Sequence, residues 1–96
     1  MPALMISTVR PKDQGKLAAY ATEAGKTLAE FGGELHHRGS YHSTLLGMST
    51  PHGTGIIRFP NAEAATAWFN SPAYRELAEL MDAAADMTFV LYTLPA

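Results

Sequence analysis

Groups able to do chemistry concentrate in Glu34-Leu35-His36-His37-Arg38-Gly39-Ser40-Tyr41-His42. Imidazole titrates near neutral pH, so His36 and His37 are candidate general bases. Arg38 is a candidate clamp for a carboxylate or an enolate, because a guanidinium offers a charged fork of donors. The same residues also have a plainer reading. Strand histidines are often simply half-exposed, and Arg38 could pair with Glu34 or a helix, or meet a second subunit. Gly39 either lets a ligand approach closely or marks a bulge. Glu34, His36 and His42 have metal-ligand chemistry, but three or so donors must converge and no motif fixes that geometry, so no metal site is expected.

Aromatic residues supply a second set. Trp68, Phe69 and Tyr74 recur at helical spacing, which suits a packed core or the wall of an aromatic pocket. Tyr20, Tyr41, Trp68 and Tyr74 are the candidate ligand contacts. Ser71 is explained as a helix cap rather than a nucleophile. The chain has no cysteine, which removes disulfides, thiolate nucleophiles and zinc–thiolate sites. Nucleotide and hydrolase fingerprints are absent, so no cofactor is expected.

The elements that must position these residues follow from pattern. Ala3 to Val9 is apolar at nearly every position, as in a strand buried on both faces. Asp13 caps a helix whose apolar stripe is Leu17, Tyr20, Ala21, Ala24, Leu28 and Phe31, closed by Gly32-Gly33. A second strand runs from Glu34 to about Tyr41, with a continuation through Leu46 allowed. If it is regular, Glu34, His36, Arg38, Ser40 and His42 share one face, and Leu35, His37, Gly39 and Tyr41 the other. A bulge at Gly39 would swap the later residues. After a turn-rich stretch, Gly55 to Phe59 forms a third strand, and Asn61 caps a helix carrying Ala62, Ala65, Trp68 and Phe69. Ser71-Pro72 restarts a helix with the stripe Tyr74, Leu77, Ala78, Met81 and Ala85. Met87 to Leu94 is a last strand.

This order is βαββαβ, the α+β ferredoxin-like arrangement: a four-stranded antiparallel sheet with helices on one face, in a single domain over residues 1–96. A weak repeat agrees, since Val9-Arg10-Pro11 and Arg58-Phe59-Pro60 each end a strand before a capped helix. Helices cover only one face of such a sheet, yet three strands are apolar on both. The simplest cover is the same face of a second copy, so a homodimer through the sheet face is expected.

Apolar residues make up 47% of the chain and charged residues 17%, with a net charge of −2. Disorder is excluded by that composition, and nothing basic suggests nucleic acid or an anionic membrane as partner. The N-terminal residues lack the pattern of an export signal, and no apolar run is long enough to span a bilayer, so a cytoplasmic location is expected.

The segment Phe59-Pro60-Asn61-Ala62 through Trp68-Phe69-Asn70-Ser71-Pro72-Ala73-Tyr74 resembles the hallmark of the DUF1330 family. Gly32-Gly33 followed by Arg38-Gly39 is similar to that family's second strand. The resemblance implies the dimeric α/β-barrel form of the ferredoxin-like fold. Relatives of that form include cofactor-free monooxygenases, muconolactone isomerases and haem-degrading enzymes. Two residues depart from the pattern. Ser40 replaces a usual glycine, and Met81 lies near where an arginine often follows.

Two functions fit these residues. One is a cofactor-free enzyme that moves a proton on a small apolar or aromatic molecule, with His36 or His37 as base and Arg38 stabilising negative charge. The other is a non-catalytic, small-molecule-binding or stress-associated dimer.

Overall fold

A computed structural model describes residues 1–95. Its elements are β1 (Ala3–Pro11), α1 (Gln14–Leu28), β2 (Glu34–Ser40), β3 (Gly53–Phe59), α2 (Ala62–Asn70), α3 (Pro72–Arg75), α4 (Ala78–Ala84) and β4 (Ala85–Thr93). The strands form one antiparallel sheet in the order β2-β3-β1-β4. That is the ferredoxin-like βαββαβ arrangement, with β2 at an edge. Among the described residues, no helix is long and apolar enough to cross a membrane.

Local chemistry sets the element ends. Asp13 accepts from the Lys16 N–H at 3.0 Å and Asn61 from the Ala64 N–H at 2.7 Å, each satisfying a donor that a helix start leaves open. Ser71 accepts from the Tyr74 N–H at 3.3 Å, with Pro72 as the first residue of α3. After α1, a single 3-10 turn (Ala29–Phe31) leads to Gly32, whose φ of 72° suits a residue without a Cβ. At Gly33 a Cβ would stand 2.9 Å from both Leu28 Cδ2 and Phe59 Cε1, so the chain passes there only as glycine.

Several ends differ from the sequence expectation: β1 runs on to Pro11, β3 begins at Gly53, and the helix restarted at Pro72 is divided into α3 and α4. Two further differences have a clear cause. β2 stops at Ser40 instead of continuing through Leu46. The register brings Ser40 opposite Gly53, so a regular continuation would soon face Pro51, which has no N–H to donate. Ala85, expected on the last helical stripe, is the first residue of β4. It is extended (φ −167°, ψ 163°) and pairs with Pro11. The Ala84 carbonyl just before it accepts from the N–H groups of Lys12 and Asp13, so the end of α4 is tied to the turn that leaves β1.

Each face of the sheet can be read from the pairing. Ala3, Met5 and Ser7 are buried beneath the helices, beside Phe59, Ile57 and Gly55 of β3. The core there is built on Trp68, which is 1% exposed, with Phe59, Tyr74, Tyr20, Leu28 and Phe89 packed around it. Leu4, Ile6 and Thr8 point the other way. Their neighbours are Arg58, Ile56 and Thr54 on one side and Tyr92, Val90 and Thr88 on the other. No helix covers this second face. Its centre is apolar, and Val90 and Tyr92 are 42% and 51% exposed.

Candidate functional site

Small side chains meet where α1 crosses the sheet. Ser7, Gly53 and Gly55 lie on the strands, and Ala21, Ala24 and Gly25 on the helix. These residues cannot fill the space between two layers, and a cavity of about 390 Å3 remains. Its floor is closely fitted: Ser7 Oγ accepts from the Gly55 N–H at 3.0 Å, and a Cβ at Gly55 would stand 2.9 Å from that oxygen. Met5, Leu17, Leu28, Ile57, Trp68 and Phe89 supply apolar walls.

Two hydrogen-bonded chains fix the aromatic side. Trp68 Nε1 donates to Thr27 Oγ1 at 2.8 Å, and that hydroxyl donates to the Ala24 carbonyl at 2.7 Å. The indole is thereby held to α1. The hydroxyls of Tyr20 and Tyr74 are 2.6 Å apart, and Tyr74 donates onward to Met81 Sδ at 3.2 Å. Tyr20 is therefore the donor to Tyr74. Burial pushes both phenols above their ordinary pKa. For Tyr74 the bond from Tyr20 and the nearby Arg75 charge work against that rise.

The second strand carries a register shift. Leu35 pairs with Ile57, but it is His37, not His36, that pairs with the next residue, Ile56. His36 is thus the extra residue of a β-bulge, earlier than the bulge considered at Gly39. Beyond it the faces exchange. Arg38 and Ser40 join Leu35 on the helix side and line the cavity, while Glu34 and His37 lie on the open face. The regular alternation expected from the sequence, with Glu34, His36, Arg38, Ser40 and His42 on one face, is corrected accordingly.

The proposed site residues therefore separate. Arg38, Tyr20 and Trp68 line the cavity. Tyr74 stands behind Tyr20, in contact through the hydroxyl pair, and Met81 behind Tyr74. His36 and His37 are exposed and outside the lining. His36 Nε2 is 3.7 Å from Glu34 Oε2, and the two imidazoles meet edge-on at 6.4 Å. Tyr41 lies beyond β2, its hydroxyl 2.6 Å from Thr44 Oγ1 and its ring 5.6 Å from that of His52. His42 meets Ser43. Among the described residues, no group of three or more His, Asp or Glu could hold a metal ion.

Sequence reasoning passed over Ser7, Gly25, Gly53 and Gly55, because a cavity is made by what is missing. One signal was available. Gly25 interrupts an amphipathic helix beside its apolar stripe, where glycine costs up to about 1 kcal/mol relative to alanine.

A family described as a domain of unknown function, DUF1330, matches residues 2–93. No curated protein matches the chain. A protein of unknown function from Rhodopseudomonas palustris shares the fold with a TM-score of 0.82 at 21% identity, over 99% of this chain and 83% of its own. SnoaB, a cofactor-independent oxygenase from Streptomyces nogalater, gives 0.72 at 9% identity, over 99% and 94%. A dimeric ferredoxin-like protein of unknown function from Thermobifida fusca gives 0.61 at 19% identity, over 98% and 92%. At such identities the likeness shows a shared ferredoxin-like fold.

Proposed function

The chain belongs to the DUF1330 family, and from there we propose that it works as a homodimer, joined through the open sheet face, that holds a small apolar or aromatic molecule under α1. The observation that carries the reading is the cavity. Its volume of about 390 Å3 falls within the 300–1,000 Å3 typical of small-molecule sites, and its walls are apolar and aromatic with few polar groups. Similarity to a protein described as dimeric supports the assembly, as does the apolar centre of the uncovered face.

Similarity in fold to a cofactor-independent oxygenase supports an enzymatic form of the same reading. In that form Arg38 would stabilise negative charge on a bound molecule. His36 and His37 are exposed and absent from the cavity lining, so a single subunit offers no imidazole to a molecule bound there. Simple binding requires none, and it is the form the geometry supports best.

Gly25 gives a direct test. It lines the cavity, and nothing lies within 4 Å of where its Cβ would be. Gly25→Leu should strengthen α1 and occupy the cavity at once. Thermal unfolding is followed with the neutral probe 2-naphthalenemethanol. At a hundredfold excess over Kd, a bound probe stabilises by about 2.7 kcal/mol, so the wild-type melting temperature rises by several degrees. The Gly25→Leu protein should melt no lower than wild type and be indifferent to the probe. An equal response from both proteins would move binding elsewhere.

A further inference from the structure

The cavity has a single charged residue in its lining among the described residues, and that residue is a cation. Arg38 lines it from the exposed edge strand β2, alongside Leu35 and Ser40, with no carboxylate in the lining to balance it. No ion pair or hydrogen bond ties its guanidinium among the described residues. The other candidate partner on its strand, Glu34, is on the opposite face and lies near His36. Chain charge does not explain the arrangement, because the protein as a whole carries a net charge of −2.

How Arg38 reaches the cavity is equally informative. Regular alternation from Glu34 would send it to the open face. The bulge at His36 allows Leu35 and Arg38, three positions apart, to share the cavity side. Bulges commonly re-aim a side chain beside a binding site. Ser40 follows on the same side, so one strand brings a guanidinium and a hydroxyl to the same rim.

We infer that the ligand is an amphipathic monoanion: an apolar, largely planar body within the walls, and one carboxylate, enolate or phenolate received by Arg38. This rests on the cavity-binding reading and names the chemical class that site takes. An arginine–carboxylate bond is charge-assisted and often two-pronged, which gives a rim arginine a preference for one planar acid group. A ligand with two acidic groups would leave one without a cation in the lining. A neutral ligand would leave the guanidinium to solvent and gain nothing from it.

The test compares 2-naphthoate with its uncharged counterpart 2-naphthamide, by calorimetry on the wild-type protein and on Arg38→Met. Methionine keeps the apolar stem and removes the charge. Wild type should prefer the carboxylate at least tenfold. Arg38→Met should lose that preference and bind the amide as wild type does. Equal affinities in wild type, or a preference that survives Arg38→Met, would overturn the inference while leaving the cavity reading intact. Failure of both probes to bind wild type would overturn the two together. Sedimentation of Arg38→Met completes the test: an unchanged assembly is expected, and dissociation into single chains would instead make Arg38 a subunit contact.

Discussion

Tyr20 and Tyr74 show what a side chain can be made to do by its surroundings alone. Their hydroxyls form a relay that ends on the Met81 sulfur, and burial raises both phenols above the ordinary value of 10.0. The folded protein therefore holds these protons more tightly than the unfolded chain. The corresponding stability is complete below pH 10 and is lost as pH rises beyond it. An alkaline titration should show phenolate absorbance from this pair appearing only as the native circular dichroism disappears. Ionisation of the pair near pH 10 with the fold intact would contradict that account. At this scale the sequence was partly legible. Helical spacing put Tyr20 and Trp68 on inward-facing stripes, because a helix places its residues by a fixed period, but it left both packed core and pocket wall open for Trp68. His36 and His37 could not be placed, since one inserted residue reverses every later position on a strand.

Among the elements, β2 departs furthest from regular geometry. Its one neighbour, β3, and the next strand, β1, pair with each other without a register shift, although β1, apolar at nearly every position, did not show in sequence which residues face the helices. The bulge at His36 left no sequence mark that distinguishes it from a regular pair of histidines. It does suggest a test of role against position. Deleting His36 should let Leu35 and His37 pair with Ile57 and Ile56 without interruption, and both Leu35 and Arg38 would remain on the cavity side. Affinity for 2-naphthoate is expected to stay within about threefold of wild type, well under 1.4 kcal/mol. A much larger loss in a protein with native circular dichroism would mean that His36 itself meets the ligand. Helix boundaries fared better than β2, because Asp13, Asn61 and Ser71 announce them chemically. The end of α4 was misread because Ala85 suits a helix or a strand equally, and pairing with Pro11 decides it.

For the molecule as a whole, the proposed assembly rests on the uncovered face. Leu4, Ile6, Ile56, Val90 and Tyr92 form its centre, with Glu34, His37 and Arg58 toward the β2 edge. Ile6 lies between Ile56 and Val90, on an inner strand. Ile6→Glu would place a carboxylate there in each subunit, and burying it without a partner is costly. The dimer should weaken by about a hundredfold, equivalent to about 2.7 kcal/mol, as measured by sedimentation over a concentration series. Each subunit should keep its fold, since Ile6 points away from the helices. An unchanged assembly would place the interface on another surface. The topology and this two-sided apolar sheet were visible in sequence, because they are properties of whole strands rather than of any one contact.

The long connection between β2 and β3 has a practical consequence. Its feet, Ser40 and Gly53, both stand on the rim of the cavity. Its tip is fully bare, with Leu45 and Leu46 at 96% and 94% exposure, and Gly47 has open space around its Cβ position. The chain can be opened there without disturbing a packed element. A fluorescent domain spliced in at Gly47 would be carried on two stalks rooted at the mouth of the site. Any tightening of that mouth around a guest would reach the chromophore, so that binding of the proposed aromatic acids would be read as an optical signal.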